Sequence, residues 1–167
     1  MKNTIRFTAI FFQVITLSAL TAHLLEMPAK LKLTMDGYQL VQSIYRGWTW
    51  LGIFEIGAIL FSITWLIIDR KKNLSKKLLV VACLLFTISL MIFFLFTLPA
   101  NKATQNWTMM PEDWEALRQD WEYSHAIRAV LNLSGLSMQV FILLHKRRSK
   151  YHRKMSSRII PASAHDY

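Results

Sequence analysis

Two short patterns in this chain bring an imidazole and a carboxylate within reach of one another. His23-x-x-Glu26 lies near the end of the first apolar stretch, and Glu122-x-x-His125 near the start of the last. Residues three apart on a helix share a side, so each pattern makes a pair. Histidine titrates near neutral pH, which suits His23 or His125 to proton transfer, and both pairs can hydrogen-bond a substrate. Glu-x-x-His motifs on facing helices also build carboxylate-bridged metal sites in bundles. Only two such motifs occur here, with Glu55 as a candidate fifth ligand. His23, Glu26, Glu122 and His125 are thus weak metal candidates, and no cofactor is strongly implied. A glycine-rich phosphate loop, a nucleophile elbow, a cysteine cluster and a dinucleotide fingerprint are all missing from the sequence.

Trp121, His125, Arg128, Asn132, Gly135 and Gln139 recur at spacings of 4, 3, 4, 3 and 4. That heptad rhythm places all six on one stripe of a helix that is otherwise mostly apolar. In hydrocarbon an unsatisfied polar group costs several kcal/mol, so the stripe must turn toward protein or water. Partners stand on two other stretches: Gln13, Thr16 and His23 on the first, and Gly52, Glu55 and Ser62 on the second. The third offers little beyond Thr87 and Ser89 and reads as a structural member. At a rise of about 1.5 Å per residue, Glu55 and Arg128 each lie about 10 Å inside Trp48 and Trp121. Two charges at that depth are expected to pair. The pair either fixes helix register only or forms the floor of a functional site.

These side chains need a scaffold of membrane spans. Hydrophobic residues make up 53% of the 167, and mean hydropathy is +0.28 although 18% of residues are charged. The two facts are compatible because apolar and charged residues fall in separate blocks. Four blocks approach the roughly 20 residues a spanning helix needs: about Phe7–Leu25, Trp48–Ile68, Leu78–Leu98 and Ala126–Leu144. The expectation is one all-α transmembrane four-helix bundle over residues 1–146, followed by a basic tail over 147–167. A cleavable signal peptide competes for the first block, but its small-x-small pattern is poor. Fourteen of the twenty basic residues fall at the amino end, between spans two and three, or in the tail, giving that side about +12 and the other about −2. The positive-inside rule then puts both termini in the cytoplasm of a multi-pass cell (inner) membrane protein. The net charge of +10 tracks the spans, which argues against nucleic acid as a partner. The tail is expected to fray or to lie on anionic headgroups. Cys83, alone in an apolar run, reads as an inert buried thiol.

The outer segments are longer than the inner one. Pro28 is expected to break the first helix, and Leu40–Tyr45 to form a short helix leading into span two. Pro111-Glu112-Asp113 reads as a helix start, so the fourth span acquires a tryptophan-rich outer extension. Trp114, Leu117, Arg118 and Trp121 share a face of it. They read either as an interfacial belt or as a lid over a lipophilic pocket. Asn106-Trp107-Thr108 matches a glycosylation acceptor, to which no weight is attached.

From Pro99 onward the chain runs Pro-Ala-Asn-Lys, then Trp107, Asp113-Trp114, and Arg118-x-x-Trp121-x-x-x-His125-x-x-Arg128. This resembles the carboxy-terminal signature of the anthrone-oxygenase-like family of small four-helix membrane proteins. The resemblance covers most of the chain in length and span number, and its specific part runs from Asn101 to Arg128. Some members are linked with cofactor-independent oxygenation of polycyclic anthrones. The resemblance implies that Asn101, Trp121, His125 and Arg128 are the matching positions. His125 would remove a proton from an activated C–H, and Arg128 and Asn101 would stabilise the anion.

Three classes of function follow. An enzyme of oxygenase or oxidoreductase type requires a pocket among helices one, two and four. In addition to the catalytic candidates it would be lined by His23, Glu26, Glu55, Trp107, Trp114, Trp121, Glu122 and Asn132. A non-enzymatic subunit, small-molecule binder or assembly factor, with a membrane partner or a second copy, requires little volume behind the polar stripe. A transporter is disfavoured by four spans without a broken helix or internal repeat.

Overall fold

The computed structural model describes residues 1–69 and 73–159, with side chains described at 1–69 and 74–145. Among them are six α-helices and no strand: α1 (Lys2–Lys30), α2 (Met35–Gln42), α3 (Gly52–Ile68), α4 (Asn73–Ile92), α5 (Leu98–Ala103) and α6 (Trp114–Ile159). A π-helical turn, Phe93–Thr97, fuses α4 and α5 into one rod, and short 3-10 turns link α2 to α3. Four stretches are long and apolar enough to cross a membrane: Lys2–Lys30, Trp48–Ile68, Leu74–Ala103 and Trp114–His145. They pack as a ring in which α1 touches α3 and α6, and α4 touches α3 and α6. The expected Arg70, Lys71 and Lys72 of the inner loop and the tail residues 160–167 lie outside the described residues, as do the basic side chains of 146–159.

The bundle is inside-out relative to a water-soluble one. Buried positions of α1 are Ala9, Gln13, Thr16, Leu20, His23 and Lys30, and those of α6 include His125, Arg128, Asn132 and Gln139. The outward faces carry Phe7, Phe11, Leu60, Ile67, Leu84, Met91, Val130 and Leu144. Only a hydrocarbon solvent favours apolar side chains outside and hydrogen-bonded ones within. At the end that holds Asp69, Ala9, Trp65, Leu79 and Ile142 form an apolar cluster. Beside it Arg6 pairs with Asp69 at 2.9 Å, and Trp65 Nε1 donates to the same carboxylate at 2.6 Å.

Gly135 lets α4 and α6 come close: a Cβ there would collide with the Phe86 ring. Gly135→Ala is expected to destabilise the bundle by about 1–3 kcal/mol, the usual effect of overpacking. Thermal unfolding in detergent measures this. An unchanged midpoint would mean that the two helices are not held at that separation.

Several boundaries differ from expectation. Pro28 does not end α1, which continues to Lys30. A proline near the last turn removes few helical bonds, and Leu31 N–H still reaches the Met27 carbonyl. The fourth long helix starts at Trp114 rather than at Pro111; the Asp113 carbonyl accepts from Ala116 and Leu117. α6 runs unbroken to Ile159, past the end expected near Leu144. The third rod extends to Ala103 instead of Leu98 because Leu98 N–H bonds the Phe93 carbonyl. That widened turn precedes Pro99, which has no N–H to donate and would crowd a regular helix.

Candidate functional site

Glu55 is the hub of a polar layer that ties all four long helices together. Arg128 Nη2 donates to Glu55 Oε2 at 2.7 Å, and both residues are buried, so the expected pair forms. Ser89 donates to Glu55 Oε1 at 3.1 Å. Asn132 Nδ2 donates to Ser89 Oγ at 2.6 Å and to the Arg128 carbonyl at 2.8 Å, and Gln13 donates to Asn132 Oδ1. Ser62 and Gln139 form a second link below, at 2.7 Å. The inward stripe on α6 is therefore as expected. The third rod takes part in the layer through Ser89, which bonds two of these partners, and Arg128 stacks over Phe93 at 5.0 Å.

Above this layer lies a cavity of about 930 Å³. Its floor is Glu55 and Arg128, and its walls include His23, Trp48, Phe93, Asn101, Trp107, Trp121 and His125. The rings interlock: His23 lies 4.4 Å from His125, 4.4 Å from Tyr45 and 4.8 Å from Trp121, centroid to centroid. Three features give the cavity directional chemistry. The His125 Nδ1 position faces the Trp121 carbonyl at 2.8 Å, so in the neutral ring Nδ1 carries the proton and Nε2 is left as the basic nitrogen. Asn101 Oδ1 accepts from both Trp107 Nε1 (3.2 Å) and Trp121 Nε1 (2.9 Å). Its amide orientation is thereby fixed, and its NH₂ remains available as a donor. His23 Nδ1 is buried without a hydrogen-bond partner among the described residues, although the residue lines the cavity.

A lid closes one side. α2, started by Thr34 as N-cap, brings Tyr38 into a cluster with Ala100, Trp107 and Trp121. Tyr38 Oη donates to Glu122 Oε1 at 3.0 Å and accepts from Gln42 Nε2 at 2.6 Å. Burial, then the Glu122 carboxylate, push the phenol far above its ordinary range, so Tyr38 stays a donor. Trp107 is inserted by a left-handed turn in which Gln105, Asn106 and Trp107 have φ of 49°, 57° and 63°. Non-glycine residues adopt this conformation only where the surroundings over-determine it, commonly beside functional sites. The Thr104 hydroxyl holds it, accepting from Trp107 N–H at 3.0 Å.

Four expected site residues do not reach the cavity. Glu26 is exposed, accepts from the Tyr45 hydroxyl, and lies 3.9 Å from Lys30. Glu122 is buried against Lys30 at 2.9 Å and Tyr38, beside the cavity and not in its lining. Three residues on a helix rotate a side chain about 60° off its neighbour, enough to send each histidine inward and its glutamate aside. Trp114 stacks on Arg118 at 4.6 Å within the lid, and Asn132 lies beneath the floor. Of the face shared by Trp114, Leu117, Arg118 and Trp121, Arg118 and Trp121 are buried and the other two partly buried, packed with Tyr38 and Trp107. Of the four metal candidates the two histidines are adjacent and the two glutamates point elsewhere, and the described residues hold no group of three or more His, Cys, Asp or Glu arranged for a metal.

Lys30, Tyr38, Gln42, Tyr45 and Thr97 were missed by sequence reasoning. Lys30 had a signal: it lies seven residues after His23 on the same stripe, and its ammonium sits 4.8 Å from Trp121 and 5.0 Å from Tyr45. Nothing in the sequence signalled where α2 would lie. The chain matches no family model, no curated protein and no solved structure.

Proposed function

We propose that this is a multi-pass cell-membrane protein with both termini cytoplasmic, and that its cavity binds a lipophilic aromatic molecule and oxidises it with dioxygen, without a cofactor, as anthrone-oxygenase-like proteins do. The observation that carries this reading is the convergence of Asn101, His125 and Arg128 on one aromatic-walled cavity of about 930 Å³. Those are the positions through which the sequence resembles that family. The orientation rests on the positive-inside rule: Arg6, Lys76 and Lys77 belong to the end that holds Asp69, opposite the cavity.

In this mechanism His125 Nε2 takes a proton from a CH₂ that lies between two aromatic rings and is conjugated through them to a carbonyl. The electron pair moves onto the carbonyl oxygen, where the Asn101 NH₂ and the Arg128 guanidinium stabilise it. The enolate gives its electrons to dioxygen, and the net change is CH₂ + O₂ → C=O + H₂O. The aromatic walls and the buried floor surround the anion with low-dielectric groups on those sides. A purely architectural role is favoured by the four-helix polar layer, which holds register by itself. It does not account for the donors and base that line a volume above that layer.

The test is oxygen uptake by the protein in lipid nanodiscs supplied with anthrone, with empty nanodiscs as the control. Uptake of one O₂ per anthrone, well above the control, is expected. Removing one fixed donor by Asn101→Leu should lower the rate by about 10²–10³-fold, as loss of an oxyanion donor does elsewhere. Uptake no faster than in empty discs would reject the enzymatic reading.

A further inference from the structure

We infer that the natural ligand is an amphiphile with one anionic group, whose apolar body passes sideways between α3 and the π-helical turn while its anion rests at the mouth on Arg46 and Lys102. This rests on the reading of the cavity as a substrate site and adds the substrate's class and its route.

Two observations carry it. The first concerns the wall. Ile53, Ile56 and Phe94 line the cavity and are 56%, 48% and 54% exposed, unlike the buried Trp121, His125 and Arg128 opposite. Lining side chains this exposed mark a thin wall. It stands between α3 and the third rod, whose packing core at Ile59, Ala82 and Phe86 lies below the polar layer. In a bilayer that seam faces hydrocarbon, so an apolar body reaches the cavity without crossing water.

The second concerns charge. Glu55 is the only acid among the lining residues, and Arg128 already neutralises it. Arg46 and Lys102 also line the cavity, are exposed, and have no ion-pair partner among the described residues. Acids outnumber bases eight to six outside the strongly basic segments, so two unpaired cations lining one cavity run against their surroundings. Complementary charge at a rim selects and steers a ligand. A carboxylate or phosphate ester with an apolar body satisfies both the wall and the rim.

The experiment uses the full chain in phosphatidylcholine nanodiscs and three probes with the same chain: ω-bromododecanoic acid, ω-bromododecanol and ω-bromododecyltrimethylammonium. Bromine quenches tryptophan on contact, and Trp48, Trp107 and Trp121 line the cavity. The acid is expected to bind about tenfold more tightly than the alcohol, with the ammonium weakest. Arg46→Glu with Lys102→Glu, both at exposed positions, should reverse the order of acid and ammonium. Ile56→Trp should thicken the wall and slow the acid's association by about tenfold while circular dichroism is unchanged. Inorganic phosphate, charge without an apolar body, should not displace the acid. Equal affinities for the three probes, an unreversed order in the double variant, unchanged association in Ile56→Trp, or displacement by phosphate would each overturn the inference. Oxygen uptake with uncharged anthrone reports separately. If the headgroups prove equivalent while uptake persists, the amphiphile falls and the oxygenase reading stands; headgroup selection without uptake means the reverse.

Discussion

Replacing His125 with asparagine is expected to lower anthrone-dependent oxygen uptake by about 10²–10⁴-fold, the range a positioned general base contributes. Asparagine approximates the Nδ1 side of imidazole, so a donor to the Trp121 carbonyl, now 2.8 Å from Nδ1, can be retained. What the substitution removes is Nε2, the nitrogen left basic in the cavity. Folding should survive, because the polar layer below does not use His125 and the α1–α6 ion pair is Lys30 with Glu122. The informative measurement pairs the rate with the melting temperature. A rate near wild type in a folded variant would remove His125 from the chemistry. The same variant should still bind the product quinone, since Asn101 keeps the orientation set by Trp107 and Trp121.

His125 was more legible than its carboxylate neighbour Glu122, for a physical reason. A stripe repeated over five intervals on α6 averages out the angular drift between positions, so inward direction could be read from periodicity. All of its members are buried. A single i, i+3 pair carries no such averaging. Its 60° offset decides between cavity and helix–helix seam, and only packing resolves that. Glu122 therefore lies against Lys30 in the seam between α1 and α6. Lys30 was hidden by the reading of Pro28 as a terminator, although its heptad spacing from His23 was present. Asn101 was visible only through the family resemblance. Hydropathy assigns an asparagine to a loop, whereas here the helix carries on past Leu98 to bring it to the cavity. The part of the lid built by α2 had no local signal for its position. Tyr38 is placed by long-range contacts with Trp107 and Glu122, which no window of sequence contains.

Glu55→Gln is expected to destabilise the bundle by about 3–5 kcal/mol, and Arg128→Gln by a comparable amount, because each leaves a buried charge without its partner. Glutamine keeps a carbonyl oxygen for the Ser89 hydroxyl, now 3.1 Å from Glu55 Oε1, so Glu55→Gln isolates the charge from the hydrogen bond. The double variant has no stranded charge. Its loss should fall short of the summed single losses by more than about 1 kcal/mol, a coupling typical of residues in direct contact. Unfolding in detergent provides the three differences, and simple additivity would mean that the pair carries no mutual energy. The cycle also separates architecture from chemistry. If the pair only fixes register, the double variant should recover stability and any oxygen uptake together. If Arg128 stabilises the developing enolate, stability should return while uptake stays low, since a neutral amide over Phe93 cannot replace the cation.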